Sequence, residues 1–259
     1  MKDKCPYYEA NCSGCNQKCP KLLAYEEIQK PGVIEKEIEE LGIDPNLNTW
    51  NLLMAMQLKF AARFHKVENL TKDEMDHWID RYLVCIEDEI REVREHLNIY
   101  PDLLVEKDNR IELEKEFIDI IHFIMDEFIS GGANAKDVEN AYMNKYYKNE
   151  ITDDFMMFAY NKQEMEIEEL YKDYSRDMTI LLLTSKLLDC SGKVRQCISW
   201  KHWKKASDTI NFNKLYDAFA ETFKTLIDCY CIMEMIPEKI REIYINKNCE
   251  NIWRQKFNY

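Results

Sequence analysis

Two pairs of acids at helical spacing, Glu89-Ile90-Arg91-Glu92 and Glu116-Phe117-Ile118-Asp119, carry the strongest chemical signal in this chain. Residues three apart on a helix are neighbours about 5 to 6 Å apart at Cβ, so each pair can turn two carboxylates toward one site. If the two helices pack antiparallel, the pairs can converge. Four carboxylates without thiolate or imidazole make a hard oxygen site, suited to Mg²⁺ or Mn²⁺ and not to Zn²⁺ or copper. Magnesium keeps waters and substrate phosphates in its remaining positions, which leaves room for a nucleotide. Acids at this spacing also line many solvated helices, and the first pair alone says little. The second is harder to dismiss. Phe117 to Met125 is apolar around nearly its whole circumference, the mark of a buried helix, and an ionised Asp119 there is costly unless paired or bound to metal. His122, taken alone, reads as a core histidine.

The elements that must position these acids are helices. Gly and Pro number 6 each in 259 residues, where average usage puts about 31 of the two together in a chain this long; all-β and βαβ folds need more turn residues than that. The expected fold class is all-α. Helical patterns run over 48–66, 72–98, 110–130, 135–147, 158–189, 212–235 and 237–256. In the second, Leu83, Ile86, Ile90, Val93 and Leu97 fall three and four apart and stack on one face. Gly131-Gly132 is a stop for the third. Asn149 to Asp154 is a polar link between two halves, about 46–149 and 155–259, of similar pattern.

Residues 1–22 differ in composition, with Cys5, Cys12, Cys15 and Cys19 among small and polar residues. This is a short Cys-rich arm ahead of one helical domain over 23–259. Its four thiols could close on Zn²⁺ or an iron–sulfur cluster, or remain free on a loose tail. The net charge of −13 argues against direct nucleic acid binding, which rests on Lys and Arg. Between Glu87 and Glu127 there are 14 acids against 5 bases, whereas Lys193, Arg195, Lys201, Lys204 and Lys205 form a run without an acid. No apolar run approaches the roughly 18 residues of a membrane span, and the first residues lack a signal-peptide core; the expected location is cytoplasmic.

Glu89-x-x-Glu92 followed by Glu116-x-x-Asp119 resembles the metal motif of the all-α nucleoside triphosphate pyrophosphohydrolases, and Glu116-Phe-Ile-Asp119-Ile-Ile-His122-Phe123 is similar to the matching segment of the dimeric dUTPases. The C-terminal Lys247-Asn248-Cys-Glu-Asn251-Ile-Trp-Arg254-Gln255 resembles that family's phosphate-binding tail. Trp200-Lys201-His202-Trp203-Lys204 looks like a family segment displaced into the second half, and Gln57 resembles the glutamine of the uracil-contacting helix. The resemblance implies a multi-helix bundle of the all-α pyrophosphohydrolase type, a homodimer, and Mg²⁺-dependent cleavage of a deoxynucleoside triphosphate, dUTP foremost, to monophosphate and pyrophosphate. It implies Glu89 as catalytic base and metal ligand, with Glu92, Glu116 and Asp119 as further ligands. Gln57 and His122 would lie at the base, and Lys247, Asn248, Asn251 and Arg254 at the phosphates. Two other readings stand beside it. One is a non-enzymatic helical nucleotide- or protein-binding protein; the other is a ferritin-like di-metal oxidase, suggested by Glu74-x-x-His77 and Asp119-x-x-His122.

Overall fold

The computed structural model describes residues 19–97, 110–148, 150, 152–199 and 209–257. Its described residues form α-helices and no strand: α1 (Pro20–Ile28), α2 (Val33–Glu40), α3 (Thr49–Ala61), α4 (Lys72–Glu95), α5 (Arg110–Ser130), α6 (Ala135–Tyr146), α7 (Phe155–Tyr171), α8 (Arg176–Cys197), α9 (Phe212–Ile232) and α10 (Pro237–Lys256). The all-α expectation holds. Among the described residues no helix is long and apolar enough to cross a membrane.

Local sequence explains most of the helix ends. Asn48, Asp154, Ser175 and Asn211 cap α3, α7, α8 and α9 by accepting a backbone N–H of the first turn. Thr71 with Glu74 and Asn134 with Asp137 form capping boxes on α4 and α6. The Gly131-Gly132 stop operates as expected: Gly132 takes φ +78°, and Ala133 N–H reaches back to Phe128 O at 3.0 Å, the six-to-one bond of a Schellman ending. Gly131 serves a second purpose, because a Cβ there would lie 2.7 Å from the Phe219 ring of α9.

Three expectations need correction. The single helix over 158–189 is two, α7 and α8, parted at 172–175, where Ser175 starts a new helix by capping Met178 N–H at 3.3 Å. No Gly or Pro marks that break, so periodicity alone runs through it. The helices expected over 48–66, 72–98 and 212–235 stop sooner, at Ala61, Glu95 and Ile232; α9 ends where Glu234 adopts φ +53° and Met235 N–H bonds back to Tyr230 O. The Cys-rich arm yields to α1 at Pro20, whose fixed φ suits the first helical position, and neither α1 nor α2 was expected.

One hydrophobic core joins the two halves. At its centre Trp50 of α3 meets Phe223 of α9 edge-on at 4.9 Å, and Phe223 stacks on Phe155 of α7 at 5.0 Å. Helix α5 runs through the middle, against α3, α4, α9 and α10, and buries 14 of its 21 residues. Helix α4 lies along α5 through Ile79, Leu83, Ile86, Ile90 and Val93, all buried. At the margin of this contact Glu89 and Glu92 of α4 come together with Glu116 of α5.

Candidate metal centre

Glu89 and Glu92 leave α4 on one face, three residues apart, and Glu116 leaves α5 opposite them. Each offers a carboxylate oxygen, and these oxygens all lie within 4.8 Å of one another. Trans oxygens of a magnesium octahedron lie about 4.2 Å apart, so small side-chain rotations would let the three close on one ion. Burial, then the charges of Asp119, Glu92 and Glu116, push the Glu89 carboxyl up to about 8, with Lys247 opposing. Burial and Asp119 raise Glu116 in the same direction. Acids confined this way repel one another, and a divalent cation relieves that repulsion, so the donor set fits a hard cation on its own chemistry.

Asp119 does not share the point where the three glutamates meet. Its Oδ2 accepts from Lys247 Nζ of α10 at 2.7 Å, and its Oδ1 lies 4.0 Å from His122 Nδ1. The ammonium is about four-fifths buried; burial pulls its pKa down, but the Asp119 charge and hydrogen bond prevail and the net shift is upward. Asn251 and Arg254 follow Lys247 at four and seven residues. Arg254 donates to Asn251 Oδ1 at 3.3 Å and pairs with Glu250. Lys247, Asn251 and Arg254 thus share one partly exposed helix face, with Lys247 at the acids, whereas Asn248, also expected at the phosphates, is fully buried and turns toward Gln57 and Tyr244 instead.

Gln57, His122 and Asn248 gather one layer deeper. His122 Nδ1 donates to Ile118 O at 2.7 Å, and its ring stacks on Tyr244 at 4.3 Å. Burial holds the imidazole down at about 4, hence neutral at pH 7. Tyr244 donates to Gln57 Oε1 at 2.6 Å, where Asn248 Nδ2 also approaches at 3.5 Å. Farther along the same helix pair, Tyr82, seven residues before Glu89, meets Phe123, four after Asp119, at 6.4 Å. Sequence rises along one helix as it falls along the other, so α4 and α5 are antiparallel.

Three residues escaped the sequence reading. His96 faces Glu116, Nε2 to Oε1 at 3.7 Å; its position four beyond Glu92 was the available signal. Tyr244 sits four before Asn248, and Asp126 lies one turn beyond His122. The basic run contributes Arg195, which bonds Asp80 at 3.0 Å and Glu87 at 2.7 Å and ties α8 to the acidic helix. Glu74 serves the α4 cap, its Oε2 accepting from Thr71 N–H at 2.7 Å, and His77 is exposed. Cys19 stands at the start of α1 as a half-buried thiol; Cys5, Cys12, Cys15 and the Trp200-to-Lys204 segment lie outside the described residues. No family model, curated protein or solved structure matches this chain.

Proposed function

We propose that this chain is a Mg²⁺-dependent nucleotide pyrophosphohydrolase that cleaves a deoxynucleoside triphosphate, dUTP foremost, between its α- and β-phosphates. The observation that carries the reading is the meeting of Glu89, Glu92 and Glu116 oxygens within 4.8 Å, beside a half-buried Asp119–Lys247 pair. The resemblance to the dimeric dUTPases supplies the substrate class and the expectation of a homodimer. A bound Mg²⁺, with Mn²⁺ as substitute, would acidify a water and offset charge on the leaving pyrophosphate.

The chain's own residues divide the remaining work. Glu92 and Glu116, with Glu89, would hold the cation. Glu89, ionised once a cation compensates its neighbours, takes a proton from the water that attacks the α-phosphorus, while the bond to the pyrophosphate oxygen breaks. Lys247 offers a point charge to the leaving phosphates, and Arg254 a planar fork. Gln57 and His122 lie toward the base. The test is a panel of nucleotides with Mg²⁺, scored separately for monophosphate and pyrophosphate, on the wild type and on Glu116→Gln. Equimolar dUMP and pyrophosphate from the wild type, with turnover abolished and helical signal intact in the variant, is the expected result. Unchanged turnover in Glu116→Gln would reject the metal assignment, and nucleotide binding without any turnover would favour the non-enzymatic reading.

A further inference from the structure

One nitrogen donor stands beside the three glutamates. His96 closes α4, and its Nε2 lies 3.7 Å from Glu116 Oε1. It follows Glu92 by four residues, so it rises from the same side of the helix one turn farther on. Hydrogen bonds from nitrogen to oxygen close at about 2.7–3.2 Å, and this separation is too long for one. Two atoms that share a divalent ion, with bonds of about 2.1 Å, lie about 3 Å apart when cis and about 4.2 Å when trans. The observed distance falls inside that interval.

His96 is not among the residues whose oxygens all lie within 4.8 Å of one another; it borders that set through Glu116. Little holds it back from joining. The regular helix ends at Glu95, and the imidazole is about a third exposed, so it can turn about its side-chain torsions without disturbing the core. Ligation through Nε2 uses the neutral ring with its proton on Nδ1. The competing explanation is an imidazolium that merely neutralises Glu116, and the two predict opposite consequences for removing the ring.

Resting on the metal reading above, we propose that His96 is a fourth ligand of the centre, through Nε2, and that its nitrogen tilts the centre from Mg²⁺ toward Mn²⁺. Magnesium takes oxygen donors and gives up its waters reluctantly. Imidazole suits first-row transition ions, and manganese accepts the same carboxylates that magnesium does. Three carboxylates and one imidazole therefore make a set that both ions can enter and that the transition ion uses more fully. The two acidic pairs hold oxygen alone, and the four-residue offset of His96 from Glu92 becomes a ligand spacing only once α5 brings Glu116 across.

The test measures the dissociation constants of Mn²⁺ and Mg²⁺ by calorimetry, and the pulsed EPR spectrum of bound Mn²⁺, in the wild type and His96→Gln without nucleotide. In the wild type the bound Mn²⁺ should show coupling to a nitrogen-14 nucleus. Glutamine offers an amide oxygen in place of that nitrogen. It should erase the coupling and weaken Mn²⁺ at least about tenfold, the scale on which changes around a metal site act, while Mg²⁺ shifts much less and the helical signal is kept. Were His96 only a cationic partner of Glu116, its removal would tighten both ions alike. That outcome, an unchanged preference, equal weakening of both ions, or nitrogen coupling that persists in the variant would overturn the assignment. A wild type that shows the coupling yet hydrolyses no nucleotide refutes the hydrolase alone; one that releases pyrophosphate without the coupling refutes the role of His96 alone; one that takes up neither ion refutes both.

Discussion

Glu127 is fully buried on α5, and neither of its carboxylate oxygens has a hydrogen-bond partner. Burial pushes its pKa up to about 8, with Arg195 pulling the other way. Below pH 4.5 the group is protonated in both folded and unfolded chains. Between pH 4.5 and 8 the unfolded chain has released the proton and the folded one keeps it, so stability falls as pH rises. One pKa unit corresponds to about 1.4 kcal/mol, so a rise from 4.5 to about 8 sets a ceiling of about 5 kcal/mol on the loss. Glu127→Gln keeps the shape and cannot ionise. The variant should match the wild type near pH 5 and overtake it steadily toward pH 8, by a Tm difference on the order of 10 °C at this chain length. Thermal and urea denaturation of both proteins at pH 5, 6, 7 and 8 measures this, and subtraction removes the contributions of Asp126 and Glu89. Parallel stability curves across that range would refute the argument that Glu127 is held neutral by burial.

Three other outcomes follow from the geometry. Mg²⁺ or Mn²⁺ at a hundred times its dissociation constant should stabilise the wild type by about 2.7 kcal/mol through mass action, and Glu116→Gln should lose most of that gain; equal gains in both would place the ion elsewhere. Gly131→Ala forces a Cβ to within 2.7 Å of the Phe219 ring and should cost about 1–3 kcal/mol in urea denaturation. Gly192→Ala, inside α8 with nothing within 4 Å of its Cβ, should instead gain up to about 1 kcal/mol, and the contrast between the two checks the contact.

Much of this protein was legible because helices are governed by neighbours in sequence. The shortage of Gly and Pro announced the class, the apolar spacing of α4 its buried face, Gly131-Gly132 the end of α5, and the i, i+3 acids a shared side of each helix. Caps written in Ser and Asp without Gly or Pro were missed, which is why the boundary between α7 and α8 went unread. The short α1 and α2 carry too few residues to show a period.

What lay beyond the sequence is whatever depends on which faces meet. That Glu116 joins Glu89 and Glu92 while Asp119 turns to Lys247, 128 residues away, follows from how α4, α5 and α10 pack, and no local rule contains that choice. The same holds for burial. Asp126 and Glu127 read as two ordinary acids, and the core that closes around them removes the water that would have ionised them. Residue types and their periods determined the helices and the chemistry available to them; tertiary packing decided which charges are paired, which are kept neutral, and which converge on a single point, because solvation and Coulomb energy depend on distance in space.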